Sequence, residues 1–153
     1  MTALRSRRAV AAFGAVSAGL LLLSACEKPT PLATITVGTN TVSSQTACYN
    51  DGKQVPTTEL ANCLKPENTK SLKVDPDDTV RFGVDPSIAD QGWTILMNGQ
   101  PLTDSSNKTY RTIPGSVFFN AQYGASGNST FVTIKEGMST VTGLWSFKLE
   151  KAS

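Results

Sequence analysis

In the stretch TVRFGV, residues Thr79–Val84, large apolar residues alternate one by one with polar or small residues. A period of two places the apolar side chains on one face of a β-strand and the remaining side chains on the other face. The same alternation, interrupted only by Leu96 and Leu144, recurs in Trp93–Asn98 and in Leu144–Glu150. An aromatic residue belongs to the apolar face in all three stretches, which therefore predict strands that bury one side.

Further strands are predicted before, between and after these three. They are 33–37, the residues around Leu72 and Val74, Thr109–Ile113, Val117–Gln122 and Phe131–Lys135. Turn signals separate the candidates, and Asn98-Gly99 suits a two-residue hairpin because both residue types tolerate a positive φ. Pro101 has no backbone N–H to donate, so it limits the returning strand to the edge of a sheet.

Seven to nine short strands with turns between them predict an all-β domain. We expect an immunoglobulin-like antiparallel β-sandwich of two sheets, with a small β-barrel as the alternative fold. A tryptophan at the start of the strand that follows Thr79–Val84 fits the sandwich. The likeness is architectural only, since the Cys…Trp…Cys spacing of true immunoglobulin domains is missing.

The N-terminus predicts where this domain is delivered. Three arginines within residues 5–8 precede an apolar stretch over residues 9–23, and Leu23-Ser24-Ala25-Cys26 then forms a lipobox. The stretch is shorter than the about 20 residues of a membrane span and is typical of a cleaved signal peptide. We expect removal of residues 1–25, a diacylglycerol on Cys26 and a protein held by that lipid on the extracytoplasmic face of a cell membrane. A secretory signal with a chance cysteine is the alternative, and the arginine pair leaves twin-arginine export open beside the general route.

Cleavage before Cys26 changes the charge of the chain. Loss of the three leader arginines leaves 11 basic residues against 12 acidic ones, so the net charge becomes −1 instead of +2. No cluster of basic residues remains in the mature part, which argues against a nucleic-acid partner.

The mature chain divides into a tether and one domain. Residues 26–32 contain the lipidated cysteine and two prolines, which make a stiff, extended segment of about 20 Å at roughly 3.1 Å per residue. Residues 33–153 are of a suitable length for a single β-sandwich domain.

Cys48 and Cys63 remain once Cys26 carries the lipid. An even pair in an oxidising compartment predicts a disulfide. The segment between them contains turn residues and a possible short helix around 57–64, which Thr58 could cap. A redox role is the alternative, although dithiol catalysts favour the C-x-x-C spacing.

The sequence offers little catalytic or metal-binding chemistry. The chain contains no histidine, so the commonest general base and the usual zinc or copper ligand are missing. Ser105 and Lys108 match an isolated S-x-x-K pattern, and Ser126 lies in an incomplete nucleophile elbow. The acidic turn 75–78 lacks the glycine and glutamate of an EF-hand loop. We therefore assign no catalytic residue, metal ligand or cofactor.

The segment between residues 109 and 128 combines aromatic residues, an arginine and a glycine-rich loop. Tyr, Arg and Asn are frequent on binding surfaces, so Tyr110, Arg111, Tyr123 and Asn128 are the candidate recognition residues. The alternative is structural, because aromatic side chains of a sandwich usually pack in its core and glycines serve its turns.

Three stretches are distinctive: EKPTPLA (27–33) after the lipobox, VRFGVDPSIADQGW (80–93) and YRTIPG (110–115). Together with the lipobox they resemble a family of small actinobacterial, Streptomyces-type lipoproteins of unknown function. The resemblance implies a lipid-anchored envelope protein from a Gram-positive source with a high genomic G+C content. It implies no activity, catalytic residue or cofactor.

These features predict a non-catalytic binding or accessory module. It would be attached to the membrane through the lipid on Cys26 and would meet an envelope protein, a peptide or a cell-wall polymer. A histidine-free serine hydrolase that uses Ser126, or Ser105 with Lys108, and a calcium-dependent binder are the alternatives.

Overall fold

A computed structural model describes residues 29–45 and 48–153. The expected signal peptide 1–25, the lipobox and Cys26 lie outside the described residues. The described chain forms ten strands: β1 (Leu32–Val37), β2 (Asn40–Gln45), β3 (Cys48–Tyr49), β4 (Ser71–Val74), β5 (Thr79–Val84), β6 (Trp93–Met97), β7 (Gln100–Pro101), β8 (Tyr110–Pro114), β9 (Ser129–Glu136) and β10 (Gly143–Lys151). It also forms two short α-helices, α1 (Leu60–Leu64) and α2 (Pro86–Gln91), and two 3₁₀ helices, Gly115–Phe119 and Ala121–Tyr123.

The strands form two sheets, as the alternation predicts. The first sheet has the order β2-β1-β5-β8, and the second has the order β3-β10-β9-β6-β7. The all-β sandwich is therefore confirmed, and within the described residues the sheets do not close into the alternative barrel. One pairing differs from the antiparallel expectation, because β4 lies parallel to the last residues of β10. The chain pairs with β3 on this edge of β10, leaves it, and returns as β4 in the opposite direction.

The main core lies between the two sheets. Its largest fully buried side chains belong to aromatic residues at the alternating positions of the central strands and of one 3₁₀ helix: Trp93, Trp145, Phe82, Phe118 and Phe147. Full burial of one large apolar side chain stabilises the fold by about 1.5–3 kcal/mol. The hairpin prediction is also confirmed, since Asn98 and Gly99 have φ values of 50° and 84° between β6 and the two-residue edge strand β7.

The disulfide between Cys48 and Cys63 is present, with 5.8 Å between the two Cα atoms. The segment that it closes folds back over the outer face of the second sheet. There Val55 and Cys63 bury Leu96 and Leu144 in a small second core. Strand β6 is consequently buried on both faces, whereas simple alternation predicts one exposed face.

Helix α1 lies within this segment and is shorter than the predicted helical region. Its N-cap residue is Glu59, and no side chain caps it, so the prediction that Thr58 caps the helix is wrong. The end of the helix is fixed from the sheet instead, because the Ser146 hydroxyl donates a hydrogen bond of 2.8 Å to the carbonyl oxygen of Cys63.

The strand predicted at Val117–Gln122 is wrong, because the two 3₁₀ helices occupy these residues. A short apolar run fits a strand and a buried helical turn equally well by its pattern. Tertiary packing favours the helical turn, because it buries Phe118 fully and brings its ring centroid to 5.9 Å from that of Phe82. Gly115 permits the approach, since a Cβ atom there would lie 2.5 Å from the carbonyl oxygen of Asp75.

Helix α2 follows β5 directly, and the period-two pattern does not predict it. Its signals are local: Pro86 occupies the first turn, and Gly92, with a φ of 77°, follows the last helical residue. Proline suits the first helical turn and glycine the residue after the last one. Among the described residues no helix is both long enough and apolar enough to cross a membrane.

Candidate functional site

The sandwich has two distinct ends. The chain enters at one of them, which we call the tether end, where the indole Nε1 of Trp145 donates a hydrogen bond of 2.9 Å to the carbonyl oxygen of Pro31. The backbone of Leu32 exchanges two more bonds with Asp85: its N–H donates to carboxylate oxygen Oδ2 at 2.8 Å, and its carbonyl accepts from the Asp85 N–H at 3.1 Å. The direction in which the chain leaves the domain is therefore fixed.

The opposite end, which we call the far end, contains the turn between β1 and β2, the Asn98-Gly99 turn and the two 3₁₀ helices. The strand registers establish this arrangement. Strand β5 begins at the far end, where Thr79 pairs with Pro114, and approaches the tether end, where Gly83 pairs with Tyr110.

The four predicted recognition residues do not form one site. Tyr110 begins β8 at the tether end and is 67% exposed. Tyr123 lies beyond the other end of β8, in the second 3₁₀ helix, and is 54% exposed. Asn128 is exposed near Tyr123, just before β9 begins. The strand β8 thus separates the two tyrosines.

The guanidinium of Arg111 is hydrogen-bonded within the domain. Its Nη1 donates to the hydroxyl of Thr103 at 2.9 Å and also to the carbonyl oxygen of Asp104. Thr103 in turn accepts a bond of 3.2 Å from the backbone N–H of Ile95 in the second sheet. Arg111 therefore links the edge of the first sheet to the loop that follows β7, which agrees with the structural alternative.

A groove lies at the far end. It encloses about 350 Å³ and is lined by Ala61, Leu64, Lys65, Asn98, Gly99 and Phe131. The ammonium of Lys65 stands 5.7 Å from the ring centroid of Phe131, within the range of a cation–π interaction. The groove thus offers an apolar floor, an amide and a positive charge.

Asn98 connects this groove to the loop that follows Tyr123. Its side-chain Oδ1 accepts a bond of 3.2 Å from the N–H of Phe131, and its Nδ2 donates one of 3.1 Å to the carbonyl oxygen of Gly124. The loop, the tyrosine and the groove are therefore parts of one surface. We call this the far-end surface; it comprises Tyr123, Asn128, Asn98, Phe131 and Lys65.

The residues considered for catalysis are not arranged as a catalytic pair. Residues three apart face each other on a helix, but Ser105 and Lys108 do not lie in one: Ser106 between them forms an isolated bridge to Trp93, and a bend follows at Lys108. The hydroxyl of Ser106 accepts a bond of 3.2 Å from the N–H of Lys108. Ser126 is exposed in the loop after Gly124.

The acidic turn at 75–78 is held by its own backbone. A carboxylate oxygen of Asp75 accepts a bond of 3.0 Å from the N–H of Asp77, as in an Asx turn. Across the residues that the structure describes, no group of three or more His, Cys, Asp or Glu side chains could hold a metal ion.

Glu136 is a buried carboxyl that sequence reasoning missed. It ends β9 at the tether end, is 1% exposed, and accepts a bond of 2.8 Å from the Thr142 hydroxyl. Burial raises the pKa of Glu136, an effect that the bond from Thr142 partly offsets. Burial also raises the pKa of nearby Tyr49, with smaller contributions from the charges of Glu136 and Asp51.

No protein-family model matches the sequence, and neither a curated protein nor a solved structure is significantly similar to the chain. The functional assignment consequently depends on the geometry of this domain and on its sequence motifs.

The residues missed at the far end carry weak sequence signals. The hairpin turn alone explains an asparagine at position 98, so the sequence does not indicate the side-chain hydrogen bonds that Asn98 forms with Phe131 and Gly124. Phe131 reads as the first apolar residue of a strand, and only its place in the sheet shows that it lies on the outer face beside Lys65.

Proposed function

We propose that this protein is a lipid-anchored, non-catalytic binding or accessory module on the extracytoplasmic face of a bacterial cell membrane. Cys26 carries the lipid, and the far-end surface meets an envelope protein, a peptide or a cell-wall polymer. The lipobox and the resemblance to small actinobacterial lipoproteins support the anchor.

One observation carries the placement of the binding surface: the far-end surface lies at the opposite end of the sandwich from Pro31. Two hydrogen bonds fix the point where the chain leaves the domain: the Trp145 indole donates to the Pro31 carbonyl, and the Leu32 N–H donates to the Asp85 carboxylate. An anchor a few residues upstream of Pro31 would hold that end near the bilayer and turn the far end outward. Tyr123 and Asn128 are exposed at the far end, and Gly124, next to Tyr123, is hydrogen-bonded to Asn98 of the groove.

The chemistry of the far-end surface suits a partner with mixed polarity. An aromatic ring offers apolar contact area with few rotamers to lose, and exposed Asn and backbone groups supply hydrogen bonds. Lys65 adds one positive charge at the rim of the groove. A segment with apolar and acidic or carbonyl groups fits these donors best.

A photocrosslinking experiment on intact membranes tests this proposal. Tyr123 is replaced by p-benzoylphenylalanine, and Thr41, exposed on the edge strand β2, is replaced in the same way as the matched control. We expect a discrete adduct from position 123 that is absent from position 41. The variant Lys65→Glu should weaken that adduct, because it reverses the charge beside the groove.

The nature of the adduct identifies the partner class. Protease sensitivity and peptide mass spectrometry reveal a protein or peptide, whereas collapse of a ladder by muramidase reveals a cell-wall polymer. The proposal fails if position 123 yields the unmodified protein alone in repeated trials, or the same products as position 41.

A further inference from the structure

We infer that the tether end of the domain is a second, separate contact surface, whose partner is the outer leaflet of the lipid bilayer. Its apolar side chains are Leu32, Tyr110 and Met138. This inference rests on the proposed lipid anchor and adds to it a defined orientation of the domain on the membrane.

The distribution of exposed apolar residues is the first observation. Four large hydrophobic side chains are exposed in the described part of the chain, and three of them lie at the tether end. Leu32 is 37% exposed, Met138 is 60% exposed and Tyr110 is 67% exposed. The fourth, Tyr123, belongs to the far-end surface.

The three side chains surround the tether end from different elements. Leu32 is the first residue of β1, and Tyr110 is the first residue of β8 in the same sheet. Strand β5 lies between β1 and β8, so two interstrand steps of about 4.8 Å separate them laterally. Met138 lies in the turn between β9 and β10. It packs near Gly92, the residue before β6 of the second sheet.

The length of the chain before the domain brings this end to the bilayer. Five residue steps separate Cys26 from Pro31, and a fully extended chain spans at most about 3.6 Å per step, or about 18 Å. Since the Trp145 indole holds Pro31 in place, separation of β1 from the sheet does not add to the length of chain between Cys26 and the domain. An anchored domain therefore keeps its tether end within a short distance of the lipid headgroups.

The side chains suit a lipid interface. Tyrosine is enriched where hydrocarbon meets headgroups, because its ring is apolar and its hydroxyl remains in a polar layer. Tyr110 lies next to Gly83 across the strand pair, so no neighbouring side chain covers it on that side. Exposed Lys108 lies beside exposed Asp90 and half-exposed Asp85 at this end, so charges of both signs are present there. We therefore attribute the contact to apolar burial and not to attraction between a basic surface and anionic lipid.

The experiment uses the mature lipidated protein, purified from membranes and reconstituted into phosphatidylcholine vesicles. An added cysteine carries an environment-sensitive fluorophore, and lipids with a spin label on the acyl chain act as quenchers. The disulfide occupies Cys48 and Cys63, and the lipid occupies Cys26. Ser139→Cys reports on the tether end, and Thr39→Cys, in the turn after β1, reports on the far end.

We expect quenching at position 139 to be at least about threefold stronger than at position 39, because β1 separates the two ends by about 20 Å. The double variant Tyr110→Ser with Met138→Ser should lower quenching at 139 toward the level at 39. The matched control Tyr123→Ser should leave it unchanged. High salt should not reduce the contrast, since the contact is apolar.

Two outcomes overturn the inference in distinguishable ways. Equal quenching at the two positions, or no effect of the double variant, in protein that floats with the vesicles refutes the membrane contact and leaves the anchor in place. Failure of the wild-type protein to float refutes the anchor, and the membrane contact is refuted with it.

Discussion

Removal of the disulfide should destabilise the protein substantially while preserving its fold. The paired change Cys48→Ala with Cys63→Ala opens a loop whose ends are 15 residues apart. In the chain-entropy account, closing a loop of this length stabilises the folded state by about 3 kcal/mol, mainly by restricting the unfolded chain. Cys63 is also 4% exposed in the second core beside Leu96, so the lost sulfur contacts add to the cost.

Urea unfolding at 25 °C and a thermal scan, both followed by circular dichroism without reductant, measure this change. We expect the free energy of unfolding to fall by about 3 kcal/mol and the midpoint temperature to fall by about 10 °C or more. Wild-type protein treated with reductant is the matched control and should approach the variant. A loss of less than about 1 kcal/mol would refute the reasoning about stability. Absence of the β-sheet signal from the spectrum of the variant without urea would refute the prediction that the fold is preserved.

Three further predictions concern buried or crowded positions. Glu136→Gln should stabilise the protein at neutral pH. In the folded protein the pKa of Glu136 lies above its usual value of 4.5, so ionisation of this carboxyl lowers the free energy of unfolding by about 1.4 kcal/mol for each unit by which the folded pKa exceeds the unfolded one. Wild-type stability should accordingly rise as the pH falls from neutral through the folded pKa, and urea titrations that show the opposite slope would contradict this. Gly115→Ala should cost about 1–3 kcal/mol, because the new methyl group would press on the Asp75 carbonyl; Ser116→Ala, at the exposed next position, should change little in the same thermal scan. Arg111→Ala should cost about 1.5–3 kcal/mol through two lost hydrogen bonds and should speed amide exchange in residues 102–109, whereas unchanged exchange there would refute the linking role.

The alternation of apolar residues was sufficient to predict the sandwich. A period of two identifies which side of a strand faces the core, and the Asn98-Gly99 pair identifies a turn from its tolerance of positive φ. Both are local properties of the chain. The disulfide was predictable as well, because the expected lipid on Cys26 would leave only Cys48 and Cys63 for pairing.

The errors arose where long-range packing determines the result. The pattern of residues 117–122 does not show that Phe118 fills the open end between two sheets. Likewise, apolar Leu96 indicates that the outer face of β6 is covered, but nothing local to β6 indicates that a disulfide-closed segment covers it. Parallel pairing of β4 depends on where the chain returns after that segment.

The candidate site was predictable only in part. Exposed Tyr123 and Asn128 were named from composition, and they do lie together at one end of the domain. Tyr110 and Arg111 were grouped with them because the residues are near in sequence, but β8 carries these two toward the other end. The tether end was missed as a surface, since Leu32 and Met138 are 106 residues apart in the chain.

The most direct test of the account is the mass of the N-terminal peptide of the protein purified from membranes. The account predicts that the mature chain begins at Cys26 and that this residue carries a diacylglycerol, so that Cys26→Ser leaves the protein unprocessed or released. A membrane-bound chain that retains residues 1–25, or that begins at another residue with an unmodified Cys26, would contradict it.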